Sequence, residues 1–92
     1  MSVLLITHAL NNRLKNYDPF FNAIKNNCSN WWHYFDTTWI VATRHSADEF
    51  AKLLYPHMEK TDRLLVVRIH SEQQGWLEQD AWTWLNERNY LL

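Results

Sequence analysis

The stretch Trp31-Trp32-His33-Tyr34-Phe35-Asp36-Thr37-Thr38-Trp39-Ile40-Val41-Ala42-Thr43 decides how the rest of the chain is read. Both of its halves are rich in aromatic and β-branched residues, the types that fit a pleated, half-buried surface. The short Asp36-Thr37 connection reads as a tight turn, so the stretch is a hairpin of two strands, Trp31 to Phe35 and Thr38 to Thr43. Because side chains alternate across a strand, Trp31, His33 and Phe35 are expected on one face and Trp32 and Tyr34 on the other. Trp39 and Val41 likewise oppose Ile40 and Ala42. Both faces of this hairpin carry apolar bulk, and both need cover.

Working towards the start of the chain, Val3 to Ala9 is a nearly continuous apolar run, as expected of a strand covered on both faces and central in its sheet. Leu10 to Tyr17 is a polar and basic loop. Asp18-Pro19 then supplies an expected N-cap followed by proline at the first helical position, where the missing N–H costs nothing. Phe20, Ile24 and Cys28, with Phe21 beside them, form an apolar stripe, and Asn26-Asn27 is expected to end the helix because Asn tolerates the left-handed conformation.

Beyond the hairpin, Ser46-Ala47-Asp48-Glu49 fits the S-x-x-E capping box, with Ala47, Phe50, Ala51 and Leu54 at helical spacing up to Tyr55-Pro56. Leu64 to Ile69, introduced by Lys60-Thr61-Asp62-Arg63, is a fourth strand. Gly75 marks a turn before a terminal helix whose face is traced by Leu77, Ala81, Trp84, Leu85 and Arg88, with Glu78 and Asp80 in its first turn, as the helix dipole prefers.

The order βαββαβ with right-handed crossovers predicts a four-stranded antiparallel sheet, strands ordered 4-1-3-2, with two helices on one face. This is an α/β (α+β) sandwich of the ferredoxin-like type, a single domain over residues 1-92, with an extra C-terminal helix. A chain of 92 residues supports one core and no more. The second sheet face is left for the terminal helix or a dimer mate, which makes Trp31, Trp32, Trp39 and Trp76 the expected interface residues of a homodimer.

Nine Lys and Arg against ten Asp and Glu give a net charge of -1, which removes the broad basic field of a sequence-blind nucleic-acid binder. Any nucleic-acid site must be local. The single Cys28 cannot form an internal disulfide, and Met1 to Thr7 has no basic n-region and is too short for a leader or spanning segment, so a cytoplasmic protein without membrane attachment is expected.

The five histidines, His8, His33, His45, His57 and His70, show no metal-site spacing, so neither a metal nor a cofactor is expected. Asp48-Glu49 and Glu78 with Asp80 are explained by helix dipoles, and Cys28 by packing, which leaves no acid–base pair or nucleophile among them. The expected topology instead gathers His8 and Ala9 with Arg44 and His45 and with Asp62 and Arg63. Together with the loop from Arg13 to Lys15 and the start of the first helix, these would form an anion or phosphate site, its ligand-binding residues being His8, Arg13, Lys15, Arg44 and His45. The alternative is that they are ordinary polar caps at strand ends, since no glycine-rich or P-loop spacing accompanies them.

Leu4-Leu5-Ile6-Thr7, the Leu10-Asn11 loop leading to Tyr17, Trp31-Trp32-His33-Tyr34, Asp62-Arg63-Leu64-Leu65-Val66, Gly75-Trp76-Leu77 and Ala81-Trp82-Thr83-Trp84-Leu85 together resemble the SinR-labelled family of short bacterial and phage proteins. Nothing in them looks like a helix-turn-helix repressor. More distantly, the architecture is similar to the small CRISPR-associated adaptation nuclease and the VapD ribonucleases, which implies a ferredoxin-like homodimer with an acidic residue ending strand one. In the SinR-labelled pattern Thr-Tyr-Asp closes that strand, whereas this chain has Thr7-His8-Ala9, and alanine offers no oxygen to a divalent metal.

The expectation is therefore a non-catalytic homodimeric module that binds nucleic acid, a nucleotide-like ligand or a protein partner. One alternative is a small metal-independent or degenerate ribonuclease of toxin or defence type, with His8 and His45 as general acid and base and Arg44 stabilising the developing charge. Another is a phage-encoded inhibitor or nucleotide-sequestering protein that uses the aromatic surface.

Overall fold

The computed structural model describes residues 1–88. In chain order they form β1 (Ser2–Ala9), α1 (Asp18–Asn26), β2 (Asn30–Phe35), β3 (Thr38–Thr43), α2 (Ala47–Leu54), a 3-10 turn (Tyr55–His57), β4 (Arg63–Arg68) and α3 (Gln79–Asn86). The strands make one sheet in the order β2-β3-β1-β4, every neighbouring pair antiparallel. Read from the β4 edge this is the 4-1-3-2 order that the βαββαβ pattern predicts. The chain is an α+β sandwich compatible with the ferredoxin-like type.

The main core lies between the sheet and the first two helices. Leu4, Ile6, Trp39 and Val41 point there from the two central strands and meet Phe20 and Ile24 of α1 and Phe50 and Leu54 of α2. The paired apolar residues of each helix are four apart, which places them on one face. The α2 capping box forms as expected: Ser46 Oγ accepts the Glu49 N–H at 3.1 Å, and Glu49 Oε1 accepts the Ser46 N–H at 2.9 Å.

The start of α1 differs from expectation, and its end falls at Asn26-Asn27 as expected but by another means. Tyr17 occupies the N-cap position and Asp18 is already helical, its N–H donated to Asn16 Oδ1 at 3.0 Å. At the other end Asn27 keeps a negative φ of -111° and its side-chain amide donates to the Ala23 carbonyl at 2.7 Å, so no left-handed residue is used. Cys28 therefore lies past the helix rather than on its stripe, half-buried against the core.

The hairpin contains the other departure. Trp32 pairs with Ile40 but Phe35 pairs with Thr38, so β2 carries a bulge between them. Two-residue hairpin turns usually take positive φ to match the strand twist. No described residue has positive φ, and the extra residue of the bulge supplies the twist instead. One consequence is that Phe35 falls on the face of Trp32 and Tyr34, with ring centroids 5.3 Å and 4.9 Å from Trp32, and not on the face of His33. β4 starts one residue earlier than expected and ends at Arg68, with Ile69 still donating its N–H to the Val3 carbonyl at 2.9 Å.

On the second face, α3 places Ala81 and Leu85 over Val3, Trp32 and Ile40, with Leu77, Trp82, Trp84 and Ile69 around them. The Trp84 indole N–H donates to Asn30 Oδ1 at 3.0 Å and fastens α3 to β2. The terminal helix covers only part of this face. Leu65 and Val67 of β4 and Tyr34 and Phe35 of β2 stay exposed. No described helix is long and apolar enough to cross a membrane.

Candidate functional site

Where β1 ends and β4 begins, two loops are tied together by one carboxylate. Asp62 is buried and accepts the Asn11 N–H at 2.7 Å, the Glu59 N–H at 2.9 Å and the Tyr17 hydroxyl at 2.9 Å to each oxygen. Burial alone would raise its pKa, but the N–H groups of Asn11 and Glu59, the Tyr17 hydroxyl and the nearby Lys15 charge outweigh it and hold the carboxyl below the usual range. The same seam carries Asn11 Nδ2 to the Thr61 carbonyl at 2.6 Å and Lys15 Nζ to the His57 carbonyl at 2.8 Å. Lys15 also lies 3.8 Å from Glu59 Oε1. Its ammonium is thus held in the seam and is not presented to a ligand.

His8 is the second unusual group at this end. Its N–H in the backbone donates to the Thr37 carbonyl at 2.9 Å, joining β1 to the hairpin tip. Its ring sits edge-on to Phe20 at 5.3 Å and near Phe21 at 5.9 Å, only 7% of the residue is exposed, and neither ring nitrogen has a hydrogen-bond partner. Burial, with a contribution from His33 that Asp62 partly opposes, lowers its pKa, so the neutral imidazole is favoured.

The structure divides the expected ligand site. His8, Lys15 and Asp62 lie at one end of the sheet, with Ala9 paired to Arg63 beside them. Arg44 and His45 lie at the other, because β3 runs antiparallel to β1 and Thr43 pairs with Ser2. The separation from His8 is about 20 Å at the rise of an extended strand. The expected convergence fails because the end of β3 meets the beginning of β1, not its end. Arg44 and His45 instead line a separate hollow of about 400 Å³ with Asn26, Asn27, Cys28 and Thr43. Arg13 is exposed on the β1–α1 loop.

Of the four expected interface tryptophans, two are taken into the chain's own packing. Trp39 lies under α1, stacked on His33 at 3.7 Å, and Trp32 lies under α3. Trp31 is partly exposed, with the Lys25 ammonium 5.1 Å from its ring centroid, and Trp76 is 99% exposed. The open part of the second face holds a groove of about 640 Å³ whose apolar lining comes from Leu5, Ile40, Ile69, Leu77, Trp82 and Leu85.

Burial pushes the Cys28 thiol up to about 11, so it is held as the unreactive thiol. Among the described residues no cluster of His, Cys, Asp or Glu is arranged to hold a metal ion. Compared with known proteins, the chain matches no family model, no curated protein and no solved structure.

The sequence reading missed the Asp62 seam. There Asp62 stood beside His8 and Ala9 at the start of the fourth strand and Tyr17 at the end of a loop, with no bond expected between them. Their meeting across 45 residues leaves no local pattern.

Proposed function

We propose that the chain is a non-catalytic homodimeric binding module that recognises a protein partner through the uncovered part of its second sheet face. The observation that carries this reading is the 640 Å³ apolar groove beside exposed Leu65 and Val67 on β4, an edge strand. An edge strand offers unpaired backbone groups. An extended segment of a partner can add to them while alternate side chains enter the groove. Leu65 and Val67 both face that side, two residues apart, as such a mode requires.

A protein is favoured over a nucleic acid because the cationic groups are dispersed: Arg44 and Arg13 are at opposite ends of the sheet and Lys15 is engaged in the seam. The ribonuclease reading loses its acid–base pair, since His8 and His45 within one chain are too far apart to act on one phosphodiester.

The test begins with molar mass by light scattering, followed by incubation with labelled RNA and DNA, with Mg²⁺ or with EDTA. Proteins cross-linked to the wild type and lost from a folded Leu65→Glu/Val67→Glu variant are the expected result, with no nucleic-acid cleavage. Reproducible cleavage abolished by His8→Ala, or retention of every cross-linked partner by the double variant, overturns the reading.

A further inference from the structure

Among the described residues, two large apolar side chains stand almost wholly in solvent, Leu14 at 98% and Trp76 at 99% exposed. They sit in opposite electrostatic settings. Leu14 is at the tip of the β1–α1 loop, next to the exposed Arg13. Its position is fixed, because the Leu14 N–H donates to Asn12 Oδ1 at 3.1 Å and the Lys15 N–H to the Asn12 carbonyl at 3.1 Å. Trp76 is one wall of a cleft of about 230 Å³ completed by Tyr34, Phe35, Leu77 and Glu78. Asp36, also exposed, follows Phe35 directly. An apolar tip with a guanidinium beside it therefore has a counterpart on the same molecule, an aromatic cleft with carboxylates beside it.

Resting on the homodimer reading above, we propose that a second copy of this chain seats Leu14 in the cleft between Tyr34, Phe35 and Trp76, with Arg13 against Glu78. The topology allows the exchange to be mutual. The β1–α1 loop and the β2–β3 hairpin tip are both at the end of the sheet where His8 bonds to Thr37, the loop on the β1–β4 side and the hairpin on the β2–β3 side. A two-fold axis passing through that end between them makes each contact twice, as an isologous interface requires. An aliphatic side chain entering an aromatic-walled cleft, with a charge pair at its rim, is the usual make-up of an interface centre and its edge. The carboxylates at the cleft disfavour a phosphate-bearing occupant and favour a cationic one.

The 92-residue chain is measured by sedimentation equilibrium and light scattering, as wild type and as Leu14→Asp and Trp76→Ala. Because both residues are solvent-exposed, their substitution leaves the far-UV circular dichroism unchanged, which separates dissociation from unfolding. The wild type is expected to be a dimer and both variants monomers. Arg13→Glu is expected to weaken the dimer about tenfold at low salt, and Arg13→Glu combined with Glu78→Arg to restore it. A monomeric wild type overturns this contact together with the homodimer reading. A dimeric wild type whose association survives both Leu14→Asp and Trp76→Ala overturns the contact alone and leaves the homodimer standing.

Discussion

The hydroxyl of Tyr17, at the entrance to α1, lies 2.9 Å from each carboxylate oxygen of Asp62, at the entrance to β4. Through this contact the first crossover loop and the last are held at one height above the sheet end. The Tyr17 hydroxyl also accepts the Asn12 N–H at 3.2 Å, so the loop that carries Arg13 and Leu14 is shaped from the same point.

Asp62→Ala removes the acceptor shared by the Asn11 and Glu59 N–H groups and the Tyr17 hydroxyl. It is expected to destabilise the fold by about 2–3 kcal/mol in urea denaturation. The Asp62 pKa is depressed in the folded state, so its contribution is fully present above the unfolded value and is lost as pH falls through the folded one. Wild-type stability should therefore drop below about pH 4, and that component of the acid loss should vanish in Asp62→Ala.

His8→Leu is expected to stabilise the protein by about 1–2 kcal/mol at neutral pH, because it replaces two unpartnered buried nitrogens with an apolar side chain. The folded pKa of His8 lies below its unfolded value, so the neutral ring's share of stability is present above about pH 6.5 and declines as pH falls from there towards the folded value. Thermal denaturation between pH 5 and 7 should show this decline in the wild type and a flatter profile in His8→Leu. A variant less stable than wild type at pH 7 would contradict the account.

Leu85→Ala tests how firmly α3 is attached. Leu85 is buried against Val3, Trp32 and Ile40, and its truncation should cost about 2–4 kcal/mol. Trp32 is covered by that helix, so loosening should also red-shift the tryptophan emission while the β1–β3 amides stay protected in hydrogen exchange.

The elements were legible in the sequence because each rests on a local cause. The capping box at Ser46 and Glu49, the apolar pairs Phe20 with Ile24 and Phe50 with Leu54, and the apolar run of β1 act within a turn or along a strand. Their order then restricts the topology, since right-handed crossovers leave few arrangements of βαββαβ. The local errors came where two local solutions compete. Asn27 could end α1 by a left-handed turn or by a side-chain bond, and it uses the bond to Ala23. Strict alternation in β2 was broken by a bulge that an all-negative-φ turn demands.

By itself the sequence determined the set of elements, their sheet and the presence of a surplus of aromatic residues over what one core face needs. Only the tertiary structure decided which aromatics the chain consumes: Trp39 beneath α1, Trp32 beneath α3, and Trp76 left outside. It also decided that His8 and His45 stand at opposite ends of the sheet and that Asp62 meets Tyr17. Composition and periodicity report which face a side chain prefers, through the hydrophobic effect, which has no direction. Hydrogen-bond partners and the meeting of chain ends depend on strand direction and loop closure across tens of residues, and these exist only once the chain is folded.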